Sequence, residues 1–316
     1  MPVSAASSHA PRSTKSRITN SRLFDTIVSG GISGVVSEVA VFPIDVLALR
    51  MKVSLRRNTS MLKMYRSIVQ NEGRRALFSG VGIVLLAAVP SKSLFFIGYE
   101  GVKGLGEKCG VEKLKPFFNF AAGMCSEVLS SMVYVPEEVI KSRMMLGRIT
   151  DRHWMVDNSH YKTSLHAARE IFHTEGIRGF YSGYCSCILT DCVNSGFQVL
   201  FYEAIRSRVI KYHKEKREGD LRLGEEIGLA AASAVLSTII SNPFDLITCR
   251  LMVQDRSGAK YYHGIGDVIK KVYRNEGIFG FYKGLLPRMM YVTPLVAIQY
   301  SGYQLIRKSI GLTQSM

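Results

Sequence analysis

The chain repeats itself three times, and no other feature constrains its fold so tightly. Glu-Gly recurs at Glu72-Gly73, Glu175-Gly176 and Glu276-Gly277, at steps of 103 and 101 residues. Seven residues after each glycine stands another (Gly80, Gly183, Gly284). An aromatic residue lies two positions before that second glycine (Phe78, Tyr181, Tyr282), and a Tyr lies 19 after it (Tyr99, Tyr202, Tyr303). Upstream, a Pro is followed by an acid two residues on and an Arg seven on: Pro43/Asp45/Arg50, Pro136/Glu138/Arg143 and Pro243/Asp245/Arg250. The step from Pro to the Gly of Glu-Gly is 30, 40 and 34 residues, so insertions fall between them. A unit near 100 residues is too long for a solenoid, whose repeats run roughly 20–50. It fits three hairpin-like units closed around a pseudo-threefold axis.

Each unit carries two apolar segments. Ile227–Phe244 and Met289–Ile306 each run 18 residues without a charge. That is about the length that crosses a hydrocarbon core of roughly 30 Å. Four more segments hold one charge each: Ile27–Ile44 (Glu38), Ala76–Tyr99 (Lys92), Pro116–Pro136 (Glu127) and Gly179–Tyr202 (Asp191). Six segments predict an all-α membrane protein of six transmembrane helices. Between paired spans, Met61–Gln70, Ser164–His173 and Gly266–Arg274 have apolar residues at helical spacing, predicting short surface helices. Pro in each odd-numbered span kinks it toward the axis, and Gly30-xxx-Gly34 offers a close-approach face.

Composition agrees. The 316 residues are 47% apolar and 21% charged, which excludes disorder over most of the chain. Six Cys in no paired framework exclude a small disulfide scaffold. The net charge is +16, yet no zinc-finger spacing, helix-turn-helix or RNA-binding signature accompanies it, so nucleic acid is not the expected partner. There is no HExxH, P-loop or G-x-S-x-G, so no enzyme, catalytic residue, cofactor or resident metal is expected.

Over roughly residues 22–310 the chain resembles the mitochondrial carrier family. The resemblance rests on Pro-x-Asp/Glu-x-x-Lys/Arg at each odd helix (PIDVLA, PEEVIK, PFDLIT), on Glu-Gly with its aromatic-x-Gly, and on YEGVK, YEAIR and YQLIR near the ends of the even helices. It implies three carrier repeats, residues 22–108, 114–212 and 222–310, behind a basic, disordered tail at 1–21. It further implies a monomer in the mitochondrial inner membrane, alternating access for a small-molecule solute, and contact with bilayer lipid, cardiolipin among the candidates.

The resemblance also assigns two gates. On the matrix side the acids are Asp45, Glu138 and Asp245, while the base positions hold Ala48, Lys141 and Thr248. Only Asp45–Lys141 keeps both partners, so this gate is expected to be the weaker one. Arg50, Arg143 and Arg250, five residues past each acid, are an alternative source of cations. On the cytosolic side Glu100 and Glu203 face Arg206 and Arg307, and Gln304 faces Lys103.

An ionisable group at mid-bilayer costs roughly 2.5–3.5 kcal/mol on insertion scales and so faces a wet cavity or a partner. Glu38 lies seven residues before Asp45, Glu127 eleven before Glu138 and Lys92 eleven before Lys103. At 3.6 residues per turn each pair is about 20° from a common face. Asp191 lies 12 before Glu203 and is placed less firmly by angle. The resemblance puts solute contact points at Ala87/Ala88, Thr190/Asp191 and Tyr291/Val292, with no Arg among them, and reads Arg288 as structural. Three acids against Lys92 indicate a cationic or zwitterionic solute.

Within the family the chain is most similar to S-adenosylmethionine carriers, through Glu38, Glu127, PSKSLFFIGYE and VPEEVIKSR. Thr190-Asp191 stands where those carriers have Arg-Glu. Mitoferrin-like transport of ferrous iron through Cys185, Cys187, Cys192 and Met289/Met290, and basic amino acid transport, are the alternatives. A non-transporting scaffold of the same fold is the alternative of another class.

Overall fold

The computed structural model describes residues 34–54, 60–108, 115–147, 161, 163–212, 223–254 and 261–309, with backbone alone at 96, 99, 100, 103–108, 115–124, 212, 223, 300 and 303–309. Six long helices are α1 (34–53), α3 (Val81–Lys108), α4 (Lys115–Leu146), α7 (Tyr184–Tyr212), α8 (Leu223–Val253) and α10 (Leu285–Ser309). Short helices α2 (Met61–Asn71), α5 (Ser164–Glu175) and α9 (Ile265–Glu276) join them, with one further turn of helix, α6 (Ile177–Phe180), after α5. The predicted tail and Gly30 lie outside the described residues.

Within the described residues the six apolar segments fall on the six long helices, with one systematic offset. Ala76–Tyr99 and Gly179–Tyr202 begin before α3 and α7, because their first residues form the turn that carries the second glycine. By length and composition alone, Arg74–Phe95 and Gly224–Val253 are apolar enough to cross a bilayer among the described residues. Met289–Ile306 has no charge, but its Tyr, Thr, Gln and Ser side chains keep α10 below that level. Leu86, Val89, Ile97, Met132, Val199 and Leu200 stand exposed, an apolar surface suited to lipid. Pro43, Pro136 and Pro243 lie inside α1, α4 and α8, so the odd helices continue past them.

α3 packs along α4, α7 along α8, and α10 along α8. α10 also meets α1, where Tyr291 donates to Glu38 at 3.4 Å. The ends of α1, α4 and α8 converge: Phe42, Val46 and Leu49 share one buried cluster with Met145 and Cys249. α5 and α9 bury Ala167 and Ile171, and Val268 and Val272, beneath those ends, and α2 buries Ile68.

What closes the ring is a contact made three times in cyclic order. Arg50, Arg143 and Arg250 are 2%, 0% and 1% exposed. Arg50 pairs with Glu72 at 2.5 Å, Arg143 with Glu175 at 2.5 Å, and Arg250 with Glu276 at 2.7 Å. Each guanidinium also reaches the next repeat. Arg50 Nε donates to the Met145 carbonyl (2.7 Å), Arg143 Nε to Met252 (3.1 Å), and Arg250 Nη2 to Lys52 (3.2 Å). Those carbonyls belong to the last turns of α4, α8 and α1, where a helix has no acceptor-satisfying N–H of its own and where its dipole favours a cation. The sequence-level alternative that these arginines serve the matrix-side acids is therefore corrected: they are committed to the glutamates of Glu-Gly.

The second glycine marks the same junction. Gly80, Gly183 and Gly284 have φ of +97°, +77° and +76°, and a Cβ on Gly284 would sit 2.9 Å from the Ala48 carbonyl. Ser79 and Ser182 donate to Met144 and Leu251, and Lys283 to Ser54, each in the next repeat. Burial pushes the Glu276 carboxyl up, but hydrogen bonds and charge from Arg250 and Lys283 outweigh it and hold it below its ordinary value. Its stabilisation is complete above the unfolded-chain pKa and is lost as pH falls through the lowered folded value.

Arg143→Ala strips Glu175 and the Met252 carbonyl of their partner in a fully buried place. It should cost about 3–5 kcal/mol, read as a lowered midpoint of thermal unfolding in detergent. Arg143→Met with Glu175→Leu removes both charges and should recover most of that loss; a double variant no better than Arg143→Ala would count against a buried pair.

Candidate solute cavity

Where α1, α4 and α8 converge, a cavity of about 190 Å³ opens between them and α7 and α10. Its wall carries six carboxylates (Glu38, Asp45, Glu137, Glu138, Asp191, Asp245) and three cations (Lys52, Lys141, Arg288), a formal charge of 3 − 6 = −3.

Lys141, on α4, is the hub. Its ammonium lies 2.9 Å from Asp45, 3.5 Å from Glu138 and 3.7 Å from Glu38. Asp45–Lys141 is the one pair whose two members the sequence retains at the motif positions. Glu38, one heptad before Asp45 on the same face of α1, joins the same cation, and Tyr291 donates to the same Glu38 oxygen, Oε1.

The position of Ala48 does not leave Asp245 unpaired. Lys52, one turn further along α1, forms an ion pair with Asp245, and Arg288 approaches the same carboxylate at 2.7 Å. Arg288 thus does more than the structural part given to it from the sequence. Lys52 was legible: it stands seven residues after Asp45, the spacing that placed Glu38. Thr248, in the other baseless position, is hydrogen-bonded to Ser186 at 2.7 Å and Thr190 at 2.9 Å, which ties α8 to α7 by hydroxyl groups rather than charge.

Of the expected contact residues, Thr190, Asp191 and Tyr291 line the cavity, and Ala87, Ala88, Lys92 and Glu127 do not. Ala87 is buried against other side chains, and Lys92 is exposed. Glu127 is still near enough to Asp191 to act on it electrostatically, as Lys92 is to Glu137. The sequence reading missed Glu137, because it sits in the variable place of PEEVIK, and Tyr134, one turn before Glu138. Cys187 is buried and touches Asp191 at 3.7 Å, while Cys185 and Cys192 are exposed, so the three thiols do not converge. Among the described residues no three His, Cys, Asp or Glu side chains are placed to hold a metal ion together.

At the far end, Glu203 is exposed and Arg206 half-buried. The side chains of Glu100, Lys103, Gln304 and Arg307 lie outside the described residues.

The sequence matches the family described as mitochondrial carrier protein over residues 19–108, 112–213 and 219–313, one match per repeat. A mitochondrial substrate carrier family protein E of Dictyostelium discoideum is 27% identical over 289 residues, 89% of this chain and 94% of that protein. A probable S-adenosylmethionine carrier 2, chloroplastic, of Arabidopsis thaliana is 32% identical over 270 residues, 85% of this chain and 70% of that one. A mitochondrial adenyl nucleotide antiporter of Danio rerio is 26% identical over 305 residues, 95% of this chain and 61% of that one. With three matched repeats, six long helices and one cyclic set of junctions, the chain belongs to the mitochondrial carrier family, multi-pass transporters of the mitochondrial inner membrane.

Proposed function

We propose that this carrier moves a small solute bearing positive charge by alternating access, with S-adenosylmethionine as the best candidate. The observation that carries the reading is the charge of the cavity wall, six carboxylates against three cations that are already in ion pairs. A nucleotide or phosphate ester would meet this surface with like charge, and it would find no arginine at the contact points. The similarity to a plant S-adenosylmethionine carrier fits the same chemistry, and the similarity to an adenyl nucleotide antiporter does not. S-adenosylmethionine brings a sulfonium and an ammonium to the acids. Basic amino acids share that pattern and are the second reading. Transport, rather than catalysis or scaffolding, accounts for ionisable side chains held inside the bilayer region.

In this reading Asp45, Glu138, Lys141 and Asp245 form the matrix gate, extended by Lys52 and Arg288. Glu100, Lys103, Glu203, Arg206, Gln304 and Arg307 form the cytosolic one. The matrix closure is then stronger than its motif positions imply, because a lysine one turn away replaces the missing base. The working unit is a monomer in contact with bilayer lipid, cardiolipin among them.

Uptake of labelled S-adenosylmethionine into proteoliposomes preloaded with the unlabelled compound tests the solute. Saturable uptake is expected. Asp191→Asn and Glu38→Gln should each weaken it by about 10-fold or more, the equivalent of one hydrogen bond to a charged group. Uptake no greater than in empty liposomes would sink the assignment and leave the fold untouched. A second series tests the gate. Lys52→Met should lower thermal stability by less than the roughly 3–5 kcal/mol of stripping a buried pair, since Arg288 stays on Asp245. Adding Ala48→Lys should restore it. Unchanged stability and exchange rate in Lys52→Met would remove Lys52 from the gate.

A further inference from the structure

Four of the six cavity carboxylates are spoken for: Glu38, Asp45 and Glu138 share Lys141, and Asp245 holds Lys52 and Arg288. Two are not. Glu137 is 8% exposed, lines the cavity, and makes no ion pair or hydrogen bond among the described residues. Asp191 lines the same cavity from α7, and its one hydrogen-bond donor among the described residues is the weakly donating Cys187 thiol. Tyr134 lies one turn before Glu137 on α4, also on the cavity wall, close enough to both acids to interact with each electrostatically. Lys141 and, more weakly, Lys92 act on Glu137 from a distance, and neither forms an ion pair with it among the described residues.

Burying a carboxylate without a partner is costly, and proteins keep such groups where something else supplies the charge. We propose that Glu137 and Asp191, with the Tyr134 ring, form a second cation subsite that selects solutes carrying two positive centres over those carrying one. The inference rests on the cationic-solute reading and adds to it a specificity residue, Glu137. One centre of the solute meets the Glu38 side, where it shares acids with Lys141. The other meets Glu137 and Asp191, where no protein cation is in ion-pair contact among the described residues. An ammonium or sulfonium there gains two carboxylates and the face of an aromatic ring. A neutral or singly charged analogue leaves Glu137 buried and unpaired, which is the stronger way to reject it.

The test uses the full chain, purified in detergent and reconstituted in proteoliposomes. The probes are S-adenosylmethionine and arginine, each beside a counterpart lacking one positive charge: the demethylated thioether S-adenosylhomocysteine, and citrulline. The doubly cationic compounds should protect wild type from thermal unfolding more than their counterparts do. Glu137→Gln should raise the half-saturation concentration for labelled S-adenosylmethionine about 10-fold, the scale of one charged hydrogen bond. The maximal rate should hold, and discrimination against S-adenosylhomocysteine should narrow. Glu137→Asp, which keeps the charge, should recover part of the affinity. A purely structural role would instead lower the maximal rate and the solute-free unfolding temperature, with discrimination unchanged. Uptake that persists in Glu137→Gln with the same half-saturation and discrimination overturns the subsite and leaves the transport reading intact. A wild-type protein that neither transports nor is protected by either doubly cationic probe overturns both.

Discussion

Three buried guanidinium groups hold this molecule closed. Each is planar, always charged and rich in donors, so burial is tolerable only when several acceptors surround it. Arg50, Arg143 and Arg250 meet that demand in the same way, with a glutamate from their own repeat and a helix-end carbonyl from the next. The consequence is topological. No repeat supplies all the acceptors of its own arginine, and repeat 3 must return to Lys52 of repeat 1. The three units therefore close into a ring rather than extend as a solenoid. The period visible in the sequence is the period of that junction: Arg, then Glu-Gly, then the second glycine where the chain passes close to the next repeat.

The ring is nearly symmetric, and the charges inside it are not. At one motif position a lysine is kept, at another it moves one turn along α1, and at the third hydroxyl groups take over. Each of these solves one problem, that of holding neighbouring helix ends together, by a different interaction. Ion pairs of low exposure are strong but sensitive to any new charge. Hydroxyl bonds such as Thr248–Thr190 are weaker and indifferent to charge. The ion-paired contacts of α1 are accordingly electrostatically responsive, and the hydroxyl contact of Thr248 with α7 is not.

Much of this could be read from the sequence because it lies along single helices. The repeat, the six spans and the surface helices follow from spacing, and α2, α5 and α9 begin within one residue and end within two of the predicted bounds. Glu38 was found because seven residues return a helix to nearly the same face. Lys52 obeys the same rule in the other direction, and the family pattern drew attention to Ala48 instead. Arg50, Arg143 and Arg250 were harder. Spacing says which face a residue occupies, but not which neighbouring helix stands opposite. Their partners lie 22–32 residues along the chain in Glu72, Glu175 and Glu276, or in another repeat altogether. Glu137 was missed for a related reason: the place between a conserved-looking Pro and acid reads as filler until the fold shows that it is buried.

On the proposed reading, the position of Lys141 joins recognition to closure. Its charge is divided among Asp45 and Glu138 at the junction and Glu38 in the cavity. A ligand shifts an equilibrium between two conformations only by as much as it binds one better than the other. A positive solute at Glu38 relieves that carboxylate of its need for Lys141 and repels the ammonium at the same time. Both effects act on the pair that holds α1 to α4. An anionic solute would do the reverse, drawing Lys141 away from all three acids and leaving them to repel one another. On the proposed reading the geometry couples the sign of the solute's charge to the helix ends that must part, through the shared lysine.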